Sequence, residues 1–229
     1  MTVSVLMPVY NTNPEHLKES IESVLNQTYQ EFELVIVNNS SNSEKTLEVL
    51  EKYKSNPKVS VYDCEREEEK KNLSVALNLG ISKTKYDLIA RIDSDDNMLP
   101  ERLEKQVKYM NENPNVSILG TQLVNMSSKK ETSHPEDIHE FYYFENTHIL
   151  NHPTVMFRKQ DIVEVGGYPE SPDKIPEDFI LWTKALRAGK KIRNLSEVLV
   201  EYRDDAMGLS MIDSTNENWN KAIASVIYN

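Results

Sequence analysis

Three aspartates crowd into four positions in YDLIARIDSDDNMLPERL, residues 86–103. Asp93, Asp95 and Asp96 directly follow an apolar run. Carboxylates this close repel one another, and a hard divalent cation relieves the repulsion; oxygen ligands suit Mg2+ or Mn2+. Such an ion keeps coordination positions open for water and substrate phosphates. The chemistry these residues point to is a metal–diphosphate site, with Asp93, Asp95 and Asp96 as candidate ligands. A plainer reading is a turn before a helix, where the helix dipole favours aspartate anyway. A calcium loop is a third: Asp93, Asp95, Asn97 and Glu104 fall at its first, third, fifth and twelfth positions. Against it, Met98 stands where that loop needs glycine, Pro100 follows, and the preceding element reads as a strand.

The flanking sequence has to position those carboxylates. VSVLMPVY (3–10), FELVIVNN (32–39), VSVYD (59–63), YDLIARI (86–92) and VSILGTQLV (116–124) are short apolar runs that read as buried strands. Amphipathic stretches separate them. One opens with Asn13 as cap and Pro14 in the first turn, and places Leu17, Ile21, Val24 and Leu25 on one face. The next has Ser43 as cap and a Leu47, Leu50, Tyr53 stripe. LSVALNLGIS (73–82) is a short helix expected to stop near Gly80, and Pro100 opens another over ERLEKQVKYMNE. The charged run EREEEKK (65–71) reads as a solvated loop or helix start. Five strand–helix alternations predict an α/β architecture: a Rossmann-like, mostly parallel sheet with helices on both faces. Ligands of such sheets bind beyond the carboxyl ends of the strands. Asn11, Asn38, Asn39 and the Asp93–Asp96 cluster all follow strands directly, so they are expected on one rim.

From about residue 125 the periodicity weakens and polar and aromatic residues dominate. TVMFR (154–158) and VLVEYR (198–203) read as strands, and EDFILWTKALRAG (177–189) as an amphipathic helix stopped by Gly189. The expected organisation is one domain over 1–229: a sheet-forming half (1–124), a smaller half (125–215) and a C-terminal helix (216–229). The chain stops within the helix-like NWNKAIASVIYN, as a piece of a longer chain would.

A net charge of −11 and a pI of about 5.0, with no basic stripe, exclude a typical nucleic-acid binder. Cys64 is the single cysteine, so there is neither an internal disulfide nor a thiolate cluster, and a reducing compartment fits. No signal peptide or apolar span is visible. The expectation is a cytoplasmic protein, with peripheral association at the inner face of a membrane as an option.

Several segments taken in order carry a resemblance: VSVLMPVYN, ESVLNQTYQEFELVIVNNSS, LSVALNLGIS, YDLIARIDSDDNMLPERL, NHPTVMFRKQDIVEVGGYPE and PEDFILWTKALRAG. From residue 2 to about 203 the chain resembles the family 2 glycosyltransferases, inverting enzymes of the GT-A fold in bacterial polysaccharide and glycoconjugate synthesis. The resemblance implies a nucleotide-sugar donor, a saccharide or lipid-linked saccharide acceptor, and a divalent metal, Mn or Mg. DSD (93–95) matches the family's Asp-x-Asp motif. That makes Asp95 the first choice for the metal, Asp93 a ribose or metal contact, and Asp96 a further ligand. Pro8, Tyr10 and Asn11 match the first nucleotide-contacting loop, and Asn78 and Arg91 match positions on the nucleotide side. PED (176–178) matches the motif that carries the catalytic base, with Asp178 as the match and Glu177 beside it. His152, in NHPTVMF, falls near the acceptor side, with a structural hydrogen bond as the competing reading.

Two departures from the family pattern stand out. Its paired aspartates after the second strand are Asn38 and Asn39 here, so the residue matched to the nucleobase, Asn39, is an amide that both donates and accepts. UDP remains the expected nucleotide. In YRDDAMGLS (202–210) a histidine of many relatives is absent; Asp204 or Asp205 could replace it, or the segment could be a lid. His134, His139 and His148 lack partner spacing, Trp182 fits a core face, and Trp219 and Tyr228 could pack a C-terminal helix. The rival enzyme, a sugar nucleotidyltransferase, is disfavoured because PVYNTNPEH has neither glycine nor arginine. The rival from another class is a catalytically weak nucleotide-sugar or glycan-binding GT-A domain, for which the asparagine pair speaks.

Overall fold

Strand β1 (Val3–Val9) is buried along its whole length. It can be so because β2 (Phe32–Asn38) and β4 (Leu88–Arg91) flank it, both parallel to it, and helices cover both faces. The structure is a computed structural model describing residues 1–64, 72–139, 149–170 and 176–204. The charged run 65–71, His148, Asp205, Trp219, Tyr228 and the expected C-terminal helix lie outside the described residues. The remaining strands are β3 (Val59–Asp63), β5 (Asn97–Met98), β6 (Val116–Asn125), β7 (Asp137–Ile138), β8 (Met156–Arg158) and β9 (Lys191–Tyr202). The helices are α1 (Pro14–Leu25), α2 (Glu44–Tyr53), α3 (Leu73–Lys83), α4 (Arg102–Glu112), α5 (Lys159–Glu164) and α6 (Glu177–Arg187).

Among the described residues the sheet runs β3-β2-β1-β4-β8-β6-β9-β5, with β7 on β9. Strand β8 lies antiparallel between β4 and β6, so the fifth apolar run does not pair with the fourth. Alternation along the chain could not show this, because the inserted strand comes about 30 residues later. The sequence order 3-2-1-4 reverses between β1 and β4, and ligands of open α/β sheets bind at such a switch point. The register aligns Val9 with Asn38, Asn38 with Asp63, and Leu6 with Arg91, which brings the strand ends to one rim.

Two apolar layers sandwich the sheet. Leu17, Ile21, Leu50, Leu103 and Val107 from α1, α2 and α4 pack on one face. Val75, Leu77, Ile81, Phe179, Leu181 and Trp182 from α3 and α6 pack on the other. The expected caps form: Asn13 accepts from the Glu15 amide at 3.0 Å and Ser43 from the Thr46 amide at 3.3 Å. Gly80, in contrast, is no stop. Helix α3 continues to Lys83, and a Cβ on Gly80 would lie 2.1 Å from Leu6 Cδ1. This glycine lets the helix approach β1 closely. Gly189 does end α6, with φ +73° and its amide bonded to the Leu186 carbonyl.

Candidate active site

The carboxylate turn is held from three sides. Ser20 on α1 donates to the Asp93 carbonyl at 3.0 Å, Ser94 pairs with Thr12 at 2.6 Å, and Ser23 Oγ accepts from the Met98 amide at 3.0 Å. After the turn, β5 pairs antiparallel with the end of β9, Asn97 opposite Glu201 and Met98 opposite Val200. The sequence pattern shows the late strand at 198–203 but neither a strand at 97–98 nor the pairing of the two. That pairing also removes the helix–loop–helix context that a calcium loop requires.

The three aspartates have different surroundings. Asp93 is 30% exposed and clasped bidentately by Arg91, Nη1 to Oδ2 at 2.7 Å and Nη2 to Oδ1. Burial alone would lower the pKa of Arg91, but Asp93 outweighs it, so the guanidinium is held charged above its usual range. Asp95 is half-buried at the rim. Asp96 has no exposure; its Oδ1 accepts from the Arg203 amide at 2.8 Å, and Oδ2 has no partner among the described residues. Burial, then Asp93, pushes its pKa well above the ordinary carboxylate range. Sequence grouped it with Asp95 as a ligand; the structure turns it inward, onto the end of β9. No group of three His, Cys, Asp or Glu side chains among the described residues is arranged as a metal cage.

The asparagines divide their work. Asn11, at φ +48°, locks its loop to the next: Oδ1 accepts from the Asn42 and Ser43 amides at 2.8 and 3.0 Å. Asn38 is fully engaged, donating to Asp63 at 2.8 Å and accepting from the Ser41 amide at 3.0 Å. Asn39 donates through Nδ2 to the Asn72 carbonyl at 3.4 Å. Pro8 is buried inside β1, and Tyr10 beyond it is half exposed. Asn78 does not line the rim with its amide. It splints α3 to the loop before α6, donating to the Tyr168 carbonyl at 2.8 Å and accepting from the Tyr168 amide at 2.9 Å.

That splint fixes Tyr168, which the sequence did not single out. Its hydroxyl meets His152 Nε2 at 2.9 Å, and the two rings pack edge-on against Trp182 with centroids 5.8 and 6.2 Å from it. His152 Nδ1 lies 3.8 Å from Glu177 Oε1. Burial first, then the Arg91 charge, pushes the His152 pKa well below 6.5, so the ring is neutral at physiological pH. The structural reading of His152 is thus visible, and it is a structural bond one contact away from the Pro-Glu-Asp motif.

That motif opens α6. Asp178 Oδ1 accepts from the Phe179 amide at 2.8 Å, within the first helical turn, where free N–H groups and the dipole favour an anion. Glu177 lies beside it, and burial, then Asp178, raises the Glu177 pKa to about 7. Arg91 and Asp93 also act on Glu177, and the same four residues act on the buried Tyr168 phenol. Two segments about 85 residues apart in sequence therefore share one electrostatic neighbourhood.

Arg203, rather than Asp204, is the described residue of this segment that meets the carboxylate turn. It donates to the Asp95 carbonyl at 3.0 Å and to Glu19 at 2.7 Å. Asp204 is exposed at the end of the described segment. His134 accepts or donates at 3.0 Å to Asn151, in a network that anchors the turn before His152. His139 is exposed.

The model of the family described as glycosyl transferase family 2 matches residues 4–163. The O-antigen biosynthesis glycosyltransferase WbnJ of Escherichia coli is 38% identical over 210 residues, covering 88% of this chain and 79% of that protein. A UDP-Gal:alpha-D-GlcNAc-diphosphoundecaprenol beta-1,3-galactosyltransferase, also from E. coli, is 30% identical over 208 residues, covering 87% and 73%. Among solved structures, S. aureus TarS 1–349 in complex with UDP-GlcNAc superposes with a TM-score of 0.82 at 19% identity. That match covers this whole chain and 66% of the solved one, and it shows the GT-A fold.

Proposed function

The chain belongs to glycosyl transferase family 2, and we propose that it moves a sugar, with inversion, from a UDP-sugar to a hydroxyl of a saccharide or lipid-linked saccharide. The observation that carries this is that the Arg91–Asp93 pair ends β4 at the sheet's switch point, while Arg91 bonds through its amide to the Val155 carbonyl just after His152, whose ring lies 3.8 Å from Glu177 of the Glu177–Asp178 pair. A donor lying over that rim would present its diphosphate to one pair and its anomeric carbon to the other.

Asp95 and Asp93 would hold a Mn2+ or Mg2+ ion. The fit rests on two rim carboxylates with exposed surface, too few for an all-protein cage and suited to an ion that shares its ligands with phosphates. The chemistry such an ion supplies is neutralisation of charge on the departing diphosphate. Asp93, oriented by Arg91, also faces the ribose in this reading. Asn39 commits its Nδ2 to Asn72, which leaves Oδ1 to accept from a ring N–H of the base, as uracil offers at N3.

Asp178 is the general base. It takes the proton from the acceptor hydroxyl as that oxygen attacks the anomeric carbon, a step worth roughly 10²–10⁴ in rate. The helix terminus favours its ionised form, and below about pH 7 a protonated, neutral Glu177 spares it a second adjacent negative charge. No described helix is long and apolar enough to cross a membrane. In our reading the enzyme acts from the cytoplasmic side and meets lipid-linked acceptors at the membrane's inner face.

A thermal-shift panel of UDP-, GDP- and dTDP-sugars with and without Mn2+ tests donor and ion together. UDP-sugars with Mn2+ should give the largest shift. Slow hydrolysis of that UDP-sugar without acceptor should follow; a weak binding domain would bind and leave it intact.

A further inference from the structure

Asp96 and Arg203 hold each other across the turn that carries Asp95. The Asp96 carboxylate, fully buried, accepts from the Arg203 backbone amide at 2.8 Å. In return the Arg203 guanidinium donates through Nε to the Asp95 carbonyl at 3.0 Å. Its Nη2 reaches Glu19 on α1 at 2.7 Å, which fixes the guanidinium plane from outside. The pairing of β5 with β9 continues the same attachment one residue further on. The peptide that follows the Asp95 side chain is thus gripped from both directions by one residue at the end of β9.

We propose that Arg203 is a positioning residue for Asp95: the clasp sets the turn so that the Asp95 carboxylate faces the diphosphate, and Asp96 serves the clasp rather than the ion. The proposal rests on the reading of Asp95 as a metal ligand. Arginine suits the task because its planar fork spreads rigidly oriented donors over several nitrogens and so reaches acceptors on different elements, whereas a lysine ammonium carries all its donors on one nitrogen. A long-lived turn matters because groups that orient a metal ligand typically contribute about 10–100-fold to metal affinity.

The test compares wild type with Arg203→Ala and Arg203→Lys by titration calorimetry of UDP, in EDTA and across a Mn2+ series. Arg203→Ala should weaken the apparent Mn2+ affinity of the UDP complex by about 10–100-fold, with UDP affinity in EDTA unchanged. Arg203→Lys should fall between. Glu19→Ala, which leaves both clasp bonds in place, should lose less than Arg203→Ala. Hydrogen exchange without metal gives an independent reading: the Asp96 and Met98 amides should exchange faster in Arg203→Ala. Wild-type Mn2+ affinity in Arg203→Ala, or an equal loss of UDP binding in EDTA, overturns the proposal; the latter would make Arg203 a nucleotide contact. Unchanged exchange of the turn also overturns it. If wild type itself shows no Mn2+ effect on UDP binding, the metal reading fails, and exchange alone decides the clasp. Should Arg203→Ala not fold, the lysine and Glu19 variants carry the same comparisons.

Discussion

Glu177→Gln should make the protein more stable, and increasingly so as pH rises. Glu177 is 18% exposed, beside Asp178, and its pKa is raised from 4.5 to about 7, by burial first and by Asp178 second. Between those two values the folded state binds a proton that the unfolded state has released, so stability falls with rising pH through that window. Below about pH 4.5 the group is protonated in both states and its contribution is complete. Above pH 7 the folded protein must bury the charge. At about 1.4 kcal/mol per pKa unit the displacement corresponds to about 3 kcal/mol, and sharing of the proton with Asp178 brings the expected effect to about 2 kcal/mol. For a chain of this size that is a melting difference on the order of 5 °C. Melts of wild type and Glu177→Gln every half unit from pH 5 to 8.5, in metal-free buffer, read it directly. The curves should nearly coincide at pH 5 and separate by pH 8, with the glutamine variant higher. A constant gap across that range would refute the raised pKa and, with it, the neutral neighbour invoked for Asp178.

Asp178→Asn should lower transfer by at least about 10², in line with loss of a general base, and leave UDP binding intact in calorimetry. Retained turnover would remove it from the mechanism. Asp95→Ala should abolish the Mn2+ enhancement of UDP affinity while leaving metal-free binding unchanged; an intact enhancement would sink the ligand assignment. Gly80→Ala should destabilise the fold by about 1–3 kcal/mol in urea unfolding, because its methyl would meet Leu6 Cδ1 at 2.1 Å.

The amino-acid sequence by itself determined the layered α/β plan, because strands buried on both faces must be continuous apolar runs and surface helices must be amphipathic. It placed the helix caps Asn13 and Ser43, the Gly189 stop and the aspartates at the end of β4, all of which depend on neighbours within a few positions. The order of motifs also gave the family. Other features depend on contacts distant in sequence, and only the tertiary structure decided them. Strand β8 enters the sheet between β4 and β6 from the second half of the chain, and two-residue β5 is a strand only because β9 arrives beside it. Gly80 reads as a terminator until β1 is seen pressing on it. Asp95 and Asp96 are chemically identical neighbours; one is half-buried and the other is fully buried against Arg203, 107 residues away. Asn78 and Tyr168, 90 residues apart, become partners in holding the His152 and Glu177 side of the site. A side chain's protonation, exposure and task follow from what the folded chain brings against it, and local residue pattern carries no record of that company.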